Sequence, residues 1–323
     1  MGVSGKGRAI AELVVAVVLI GAGIAYGWRQ ADQHNYSRTH AYPLLDPSVS
    51  DPSVHQEIIN FDPLRQNLKQ YLAGLNLSHS LYFEYLPNGV SIRDGADTTS
   101  TAASLMKTPV IMDLYRLAEL GKVDLNTNVT VLQKDISNDS DYGDPTHLKA
   151  GDQLSLRQAA QITLNDSDNT TLNVIKGKIL PLLSNSTDSI QSLDITYTLT
   201  GANFANEQVS ISARSYSSIL KCLYYACFNS PQDSTQIIQY LTGSVEQNRL
   251  VAGVGSDIKV AHKVGSSPTS QSDCGIIYYP GKPYLVCLMF LDLNSSNVGQ
   301  VDPYFAKVSQ MIYNYVSTSG NSY

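Results

Sequence analysis

The sequence has no run of basic residues beyond its N-terminus and no interleaving of aromatic with basic side chains. Its net charge is −6 at pH 7, from 22 basic and 28 acidic residues. Nucleic-acid-binding proteins generally present a basic surface, so this composition argues against a nucleic-acid partner. The contents of 43% hydrophobic and 15% charged residues are those of a globular protein.

Only four cysteines occur, and their spacing is not that of a metal site. Cys222 and Cys227 are five residues apart in a segment predicted to be helical, on different faces, which argues against a bond between them. Cys274 and Cys287 would face each other across a Pro280-Gly281 turn, either as an extracytoplasmic disulfide or as buried thiols. The sequence therefore predicts neither a metal nor a cofactor.

The N-terminus has the pattern of a membrane anchor. Lys6 and Arg8 precede an apolar stretch, and Ala9 to Trp28 reaches the length of about 20 residues that a spanning helix needs. We predict a single-pass anchor at 1–29, with a cleaved signal peptide as the alternative. Either arrangement places the remainder of the chain outside the cytoplasm.

The rest of the chain divides by composition. Residues 30–60 are polar with little apolar periodicity, and they are predicted to be a linker. Residues 61–323 are predicted to form one catalytic domain, which acts as a monomer.

Three short motifs indicate an active site. Ser104-Leu105-Met106-Lys107 opens a predicted helix, on which residues at i and i+3 share one face. Ser167-Asp168-Asn169 follows 60 residues later, and Lys263-Val264-Gly265 lies in a predicted strand. Taken singly, the Ser-Asp-Asn tripeptide is also a common helix-capping turn. Taken together, they indicate a serine nucleophile that is activated by lysine rather than by histidine.

The order of the motifs resembles that of class A β-lactamases and penicillin-binding proteins, which carry Ser-x-x-Lys, Ser-Asp-Asn and Lys-Thr-Gly. The surroundings are also similar: residues 80–89 resemble the first hairpin of that family, and Gly275 to Tyr278 resembles its penultimate strand. The similarity covers about residues 61 to 316.

The resemblance implies a role for each motif residue. Ser104 would be the nucleophile and Lys107 its base, made partly neutral by burial or by a second cation, Lys263. Ser167 would relay a proton to the leaving nitrogen, and Asn169 would hold a substrate amide. Substrate-binding and oxyanion positions would follow Lys263 along the chain, at Gly265 and Ser266, with the N–H of Ser104 as the second oxyanion donor.

The sequence departs from the family at three places. Val264 replaces a hydroxyl residue, and Cys274 stands where many relatives have an arginine, which leaves Lys263 as the main partner for a substrate anion. Class A β-lactamases also carry a deacylating glutamate, followed four residues later by asparagine, in the loop after Ser-Asp-Asn. That motif is absent here, and the loop carboxylates are Asp188, Asp194 and Glu207.

The predicted function is that of a β-lactamase-like serine hydrolase, which is acylated by a β-lactam and then hydrolyses the adduct. The alternatives are a D,D-peptidase or penicillin-binding protein acting on peptidoglycan stem peptides, and a β-lactam sensor without turnover. The missing glutamate disfavours hydrolysis, whereas the neighbourhood of Ser104 favours it.

The predicted fold is α+β (mixed α/β), with an antiparallel sheet of about five strands drawn from both chain ends and an inserted helical subdomain. Helices are predicted at 62–75 and 303–316, and a hairpin is predicted at 80–93 around Asn88-Gly89. Strands are predicted at 259–265, 275–279 and 284–291, and residues 104–250 are predicted to be mainly helical. His262, next to Lys263, is predicted to be structural or exposed rather than part of the site.

Overall fold

The computed structural model describes residues 42, 44, 59–137, 148–184, 194–195 and 209–319. Tyr42 apart, they belong to one compact unit made of Leu44–Asp46 and His55–Tyr323. The anchor predicted at 1–29 lies outside the described residues, as does nearly all of the linker predicted at 30–60. Within the described ranges, no helix is both long and apolar enough to cross a membrane.

A five-stranded antiparallel sheet forms the centre of the fold, as predicted. Its strand order is β2-β1-β9-β8-β7. The strands are β1 (Ser78–Tyr85), β2 (Val90–Asp94), β7 (Val260–Ser267), β8 (Ser270–Ile277) and β9 (Tyr284–Leu291). The two ends of the chain therefore build one sheet, and β7 is an outer strand.

The β1–β2 hairpin turns at the predicted Asn88-Gly89 pair. Gly89 has φ +72°, a left-handed conformation that favours glycine, and its N–H donates to Tyr85 O at 2.8 Å. Asn88 Oδ1 accepts from Val90 N at 3.1 Å, which closes the turn on its other side. The predicted strand bounds are correct to within two residues.

Helices α1 (Asp62–Gly74) and α7 (Asp302–Thr318) cover one face of the sheet. The predicted leucine stripe of α1 points into this core, where Leu64, Leu68 and Leu72 are buried. Burying one such side chain contributes about 1.5–3 kcal/mol. These two helices hold the sheet from the side opposite the inserted helices.

The described segments between Lys107 and Thr242 are mainly helical, and the chain also forms two small sheets that were not predicted. The helices are α2 (Lys107–Glu119), α3 (Leu156–Asn165), α4 (Asn169–Ser184), α5 (Ala213–Tyr224) and α6 (Pro231–Thr242). The sheets pair β3 (Thr99–Thr101) with β6 (Ser210–Ser212), and β4 (Asn128–Thr130) with β5 (Gln153–Ser155). Strands of three residues are too short to show an alternating pattern.

The prediction that Cys222 and Cys227 are not bonded is wrong, because they form a disulfide. The prediction assumed one continuous helix, but α5 ends at Tyr224. Ala226 has φ +51°, and Cys227 N donates to Cys222 O at 2.9 Å. This helix-ending turn reverses the chain and returns Cys227 to the last turn of α5.

Cys274 and Cys287 are also joined by a disulfide. They are direct partners in the β8–β9 register, and Cys274 is in turn the partner of Lys263 in β7. Of the two alternatives that the sequence left open, the structure has the disulfide. The bond links the strand next to β7 to the centre of the sheet.

Strand β8 begins five residues earlier than predicted. Its first four residues, Ser270 to Asp273, are polar and buried, so the sequence there does not resemble a strand. Burying polar groups is costly unless they are hydrogen-bonded. This polar half of β8 lies beside the end of β7 that carries the Lys-Val-Gly motif.

Candidate active site

Ser104 lies in a single turn of 3₁₀ helix, Ala103–Met106, which leads into α2. The residue before it, Ala103, has φ +45°, a left-handed conformation that costs a non-glycine residue about 1–3 kcal/mol. Such strain is held only where the surroundings enforce it. Here it presents the Ser104 side chain, which is half-buried, at the start of a long helix.

Lys107 is the first residue of α2, and its side chain turns back to the serine. Its Nζ lies 2.9 Å from Ser104 Oγ, close enough to exchange a proton. The same Nζ contacts Ser167 O at 2.5 Å and Ser167 Oγ at 3.2 Å. The side chain is 1% exposed, so these partners replace water around the amine.

Ser167 bridges the two lysines. Its Oγ lies 2.8 Å from Lys263 Nζ, and Lys263 also contacts Val264 O at 3.3 Å. Ser167 itself has φ +56°, which turns its carbonyl toward Lys107. Hydrogen-bonding contacts therefore run without a gap from Ser104 through Lys107 and Ser167 to Lys263, as the motif order predicted.

Lys263 is fully buried, and burial lowers the pKa of its amine to about 8. The carboxylates of Glu246 and Asp273 raise the pKa, and the Arg249 guanidinium lowers it. At neutral pH the amine is still mostly protonated, so it can donate to Ser167 Oγ and attract an anion.

The Ser-Asp-Asn tripeptide is a helix cap and part of the site at once. Asp168 Oδ1 accepts from Thr171 N at 2.6 Å at the start of α4. This cap holds Ser167 in place just before the helix. Asn169 is the first residue of α4 and is partly exposed, two residues beyond Ser167.

Gly265 allows β7 to pass close to the turn that carries Ser104. A Cβ atom at this position would lie 3.0 Å from both Ala102 O and Leu105 Cγ. Ser266 follows, and its Oγ donates to Gln271 Oε1 at 2.6 Å. Because β7 is an outer strand, alternate N–H groups along it point away from β8.

Arg249 joins this end of the site, and the sequence analysis did not identify it. Its Nη2 lies 3.2 Å from Ser266 Oγ and also contacts Gln271 Oε1, while Nη1 donates to Ser272 O at 2.8 Å. Its Nε pairs with Asp302 at 2.7 Å. Arg249 is 14 residues before Lys263 and belongs to no local motif. The one sequence feature that sets it apart is that it is the only arginine after Arg214.

Asp194, one of the three loop carboxylates, acts electrostatically on Asp113 of α2. Burial, and after it the charge of Asp194, raise the pKa of the Asp113 carboxyl well above its usual value. Asp113 Oδ1 accepts from Ile195 N at 2.9 Å. Asp113 is nine residues past Ser104, roughly 13 Å at the rise of an α-helix. Asp188 and Glu207 lie outside the described residues.

His262 is fully buried, and its Nδ1 lies 2.9 Å from Asp273 Oδ1. It precedes Lys263 in β7, so the two side chains point to opposite faces of the strand. The histidine therefore makes no contact with the Ser104–Lys107 pair.

Comparison with known proteins identifies the family of the chain. The family model described as "Beta-lactamase enzyme family" matches residues 63–316. No curated protein sequence matches the chain.

Solved structures share the fold at low sequence identity. PBP-A is 21% identical with a TM-score of 0.68, over 81% of this chain and 99% of PBP-A. A β-lactamase from Sphaerobacter thermophilus is 17% identical with a TM-score of 0.66, and the match covers 80% of this chain and 98% of that enzyme. An ancestral class A β-lactamase is 17% identical with a TM-score of 0.63, and the match covers 78% of this chain and 99% of that enzyme. Since the family model spans most of the sequence, this chain belongs to the β-lactamase enzyme family.

Proposed function

We propose that Ser104 attacks the carbonyl carbon of a β-lactam, and that water then hydrolyses the resulting acyl-enzyme. The observation that carries this proposal is the unbroken chain of contacts from Ser104 Oγ to Lys263 Nζ, with steps of 2.9, 3.2 and 2.8 Å. A buried chain of this kind can move a proton away from the nucleophile and deliver it to the leaving group.

In the acylation step, neutral Lys107 takes the proton of Ser104 as Oγ bonds to the carbonyl carbon. The carbonyl oxygen becomes an oxyanion, for which the N–H groups of Ser104 and Ser266 are the donors. The ring C–N bond then breaks, and the nitrogen takes a proton from Ser167 Oγ. Lys107 returns a proton to Ser167 across 3.2 Å, so in total one proton is transferred from Ser104 to the leaving nitrogen and both Lys107 and Ser167 are restored.

The anionic group of the substrate would lie beside β7. Arg249 and Lys263 bring two positive charges to this end, and Ser266 Oγ supplies a hydroxyl next to Val264, which has none. Arg249 is held by several acceptors and is 12% exposed, so it would act mainly through its charge and by polarising Ser266. Asn169 is the proposed partner for an amide of the substrate.

In the deacylation step, protons move in the opposite direction, from the attacking water and back to Ser104 Oγ. Water attacks the ester carbon and gives up a proton, and Ser104 Oγ takes a proton as it leaves. Within the described part of the chain, Lys107 is the basic group in contact with Ser104 Oγ, and we propose it as the base for water.

A penicillin-binding role with slow turnover is the second candidate. It is favoured by Asp194, which is buried and whose charge acts on Asp113, nine residues past Ser104. In addition, one of the similar structures is a PBP-A mutant solved as an acyl-enzyme complex with penicillin G. The acylation step is the same in both roles, and only the lifetime of the adduct differs.

Intact-mass spectrometry of the chain after addition of a chromogenic β-lactam tests both roles. We expect an adduct on the wild type and on Ser218→Ala, a partly buried serine of α5, but none on Ser104→Ala. An adduct that decays as hydrolysed product accumulates supports the hydrolase. A persistent adduct supports the penicillin-binding role, and absence of any adduct on the wild type refutes acylation by β-lactams.

We also propose that the catalytic unit is extracytoplasmic, anchored through 1–29. The two disulfides support this location, because such bonds persist in oxidising compartments. Digestion of intact cells by an external protease tests it, since a catalytic unit that is protected until the cells are lysed would contradict the proposal.

A further inference from the structure

Asp273 is a fully buried carboxylate at the polar half of β8, and both of its oxygens are used. Oδ1 lies 2.9 Å from His262 Nδ1, and Oδ2 accepts from Leu250 N at 3.0 Å. Neither contact is within β8 itself. The carboxylate therefore joins its own strand to two other segments of the chain.

Those two segments carry the cations of the active site. His262 immediately precedes Lys263 in β7, and Leu250 immediately follows Arg249 in the turn after α6. Leu250 O accepts from Ser309 Oγ at 2.7 Å, which ties the same turn to α7. Movement of either segment would break a hydrogen bond to a carboxylate that water cannot reach, so Asp273 holds both in one register.

The contact between Asp273 and His262 is a hydrogen bond inside the protein, shielded from water. An ionised carboxylate only accepts hydrogen bonds, so in this contact His262 Nδ1–H would be the donor. His262 Nε2 is buried and has no hydrogen-bond partner among the described residues, which disfavours a second proton there. The Asp273 carboxylate acts electrostatically on the groups around it.

Lys263 is one of those groups. Burial lowers the pKa of its amine, the carboxylates of Glu246 and Asp273 raise it, and Arg249 lowers it. The Lys107 amine also approaches from α2 through Ser167. Tyr216 of α5 is affected as well, since its phenol pKa is raised by burial first and by Asp273 in addition.

We propose that Asp273 is a positioning residue of the active site, which holds the segments bearing Lys263 and Arg249 in register and serves as an internal counter-ion for Lys263. This inference rests on the proposed function, because its kinetic consequence is read through acylation. Asp273 contacts Leu250 and His262 rather than Ser104, and it acts on the site through Lys263 and the position of the Arg249 segment. Its absence would let Lys263 lose its proton at a lower pH.

The variant Asp273→Asn removes the charge while keeping the shape of the side chain. In a plot of acylation rate against pH, we expect the alkaline limb, where the rate falls, to lie about one pH unit lower than in the wild type. A shift of this size is typical for the loss of a neighbouring opposite charge. The matched control is Glu84→Gln, which neutralises another buried carboxylate of the same sheet, paired with Lys221 and Tyr82. Its alkaline limb should stay at the wild-type position.

A role in folding alone would lower the rate equally at every pH, so an unshifted limb in Asp273→Asn overturns the proposal. If Asp273→Asn does not fold, Asp273→Ser is measured instead. Failure of both to fold while Glu84→Gln folds would make Asp273 a folding determinant and likewise overturn it.

A second readout separates this inference from the proposed function. The Lys263 side chain can be titrated by NMR, with its resonance assigned by its loss in Lys263→Arg. If the wild type is not acylated by the β-lactam, the proposed function fails, but the titration still decides the role of Asp273. A lower midpoint in Asp273→Asn supports the counter-ion, and an unchanged midpoint refutes it.

Discussion

At Gly265, β7 passes close to the turn that carries Ser104, and an alanine there has no room. Its Cβ would lie 2.6 Å from Ser272 Oγ and 3.0 Å from Ala102 O. The serine hydroxyl can rotate away, but the carbonyl of Ala102 belongs to backbone that is tethered, since Ala102 N donates to Val209 O at 2.9 Å. The strand must therefore move away from the turn.

The size of the movement follows from these distances. Restoring an ordinary separation of about 3.5 Å requires a shift of about 0.5 Å from Ala102 O, and about 0.9 Å from Ser272 Oγ if that hydroxyl stays. A misplacement of about 1 Å can cost roughly 100-fold in rate. We therefore expect Gly265→Ala to slow acylation by about 10- to 100-fold and to destabilise the fold by about 1–3 kcal/mol.

The assay is the rate of adduct formation with excess chromogenic β-lactam, together with urea unfolding of the same sample. Gly177→Ala is the matched control, because nothing lies within 4 Å of the added Cβ. It lies inside α4, so it should leave acylation unchanged and stabilise by up to about 1 kcal/mol. If Gly265→Ala acylates at the wild-type rate, the close approach of β7 to the Ser104 turn does not matter for catalysis.

Three further outcomes are expected. Lys107→Ala should slow acylation by about 10²–10⁴-fold, the usual contribution of a general base, and an unchanged adduct-formation rate would make Lys107 structural. Acylation of the wild type should fall as pH rises through about 8, because Lys263 then loses the proton that it donates to Ser167; a rate that stays flat up to pH 10 would contradict this assignment. Leu68→Ala should lower the free energy of unfolding by about 2–5 kcal/mol, because the side chain is fully buried. Exposed Lys69→Ala is its control in urea titrations, and equal losses in the two variants would contradict the packing argument.

Much of the local structure could be predicted because it depends on neighbouring residues. Asn88-Gly89 determines a hairpin by its backbone preferences, and leucines at helical spacing determine the buried face of α1. Ser104 and Lys107 are three residues apart, so a helical turn alone brings them into contact. That Ser167 belongs to the same site was predicted only because the order of motifs resembles a known family.

The errors share one cause, the use of a local pattern where a turn or a distant segment decides. Cys222 and Cys227 were assigned to one helix, but the chain turns back at Ala226. The first half of β8 was missed because polar residues do not indicate a buried strand, and it is buried only through partners such as Arg249 and His262.

The sequence by itself determined the serine, the two lysines and the order in which they occur, because those residue types carry the chemistry wherever they lie. Only the tertiary structure decided which groups surround them. Arg249 and Asp273 reach the site from different segments, and their effect on Lys263 depends on distance and burial, which no local pattern encodes. Electrostatic interactions act through space and are strongest where water is excluded, so the charges that tune this site became visible only when the chain was folded.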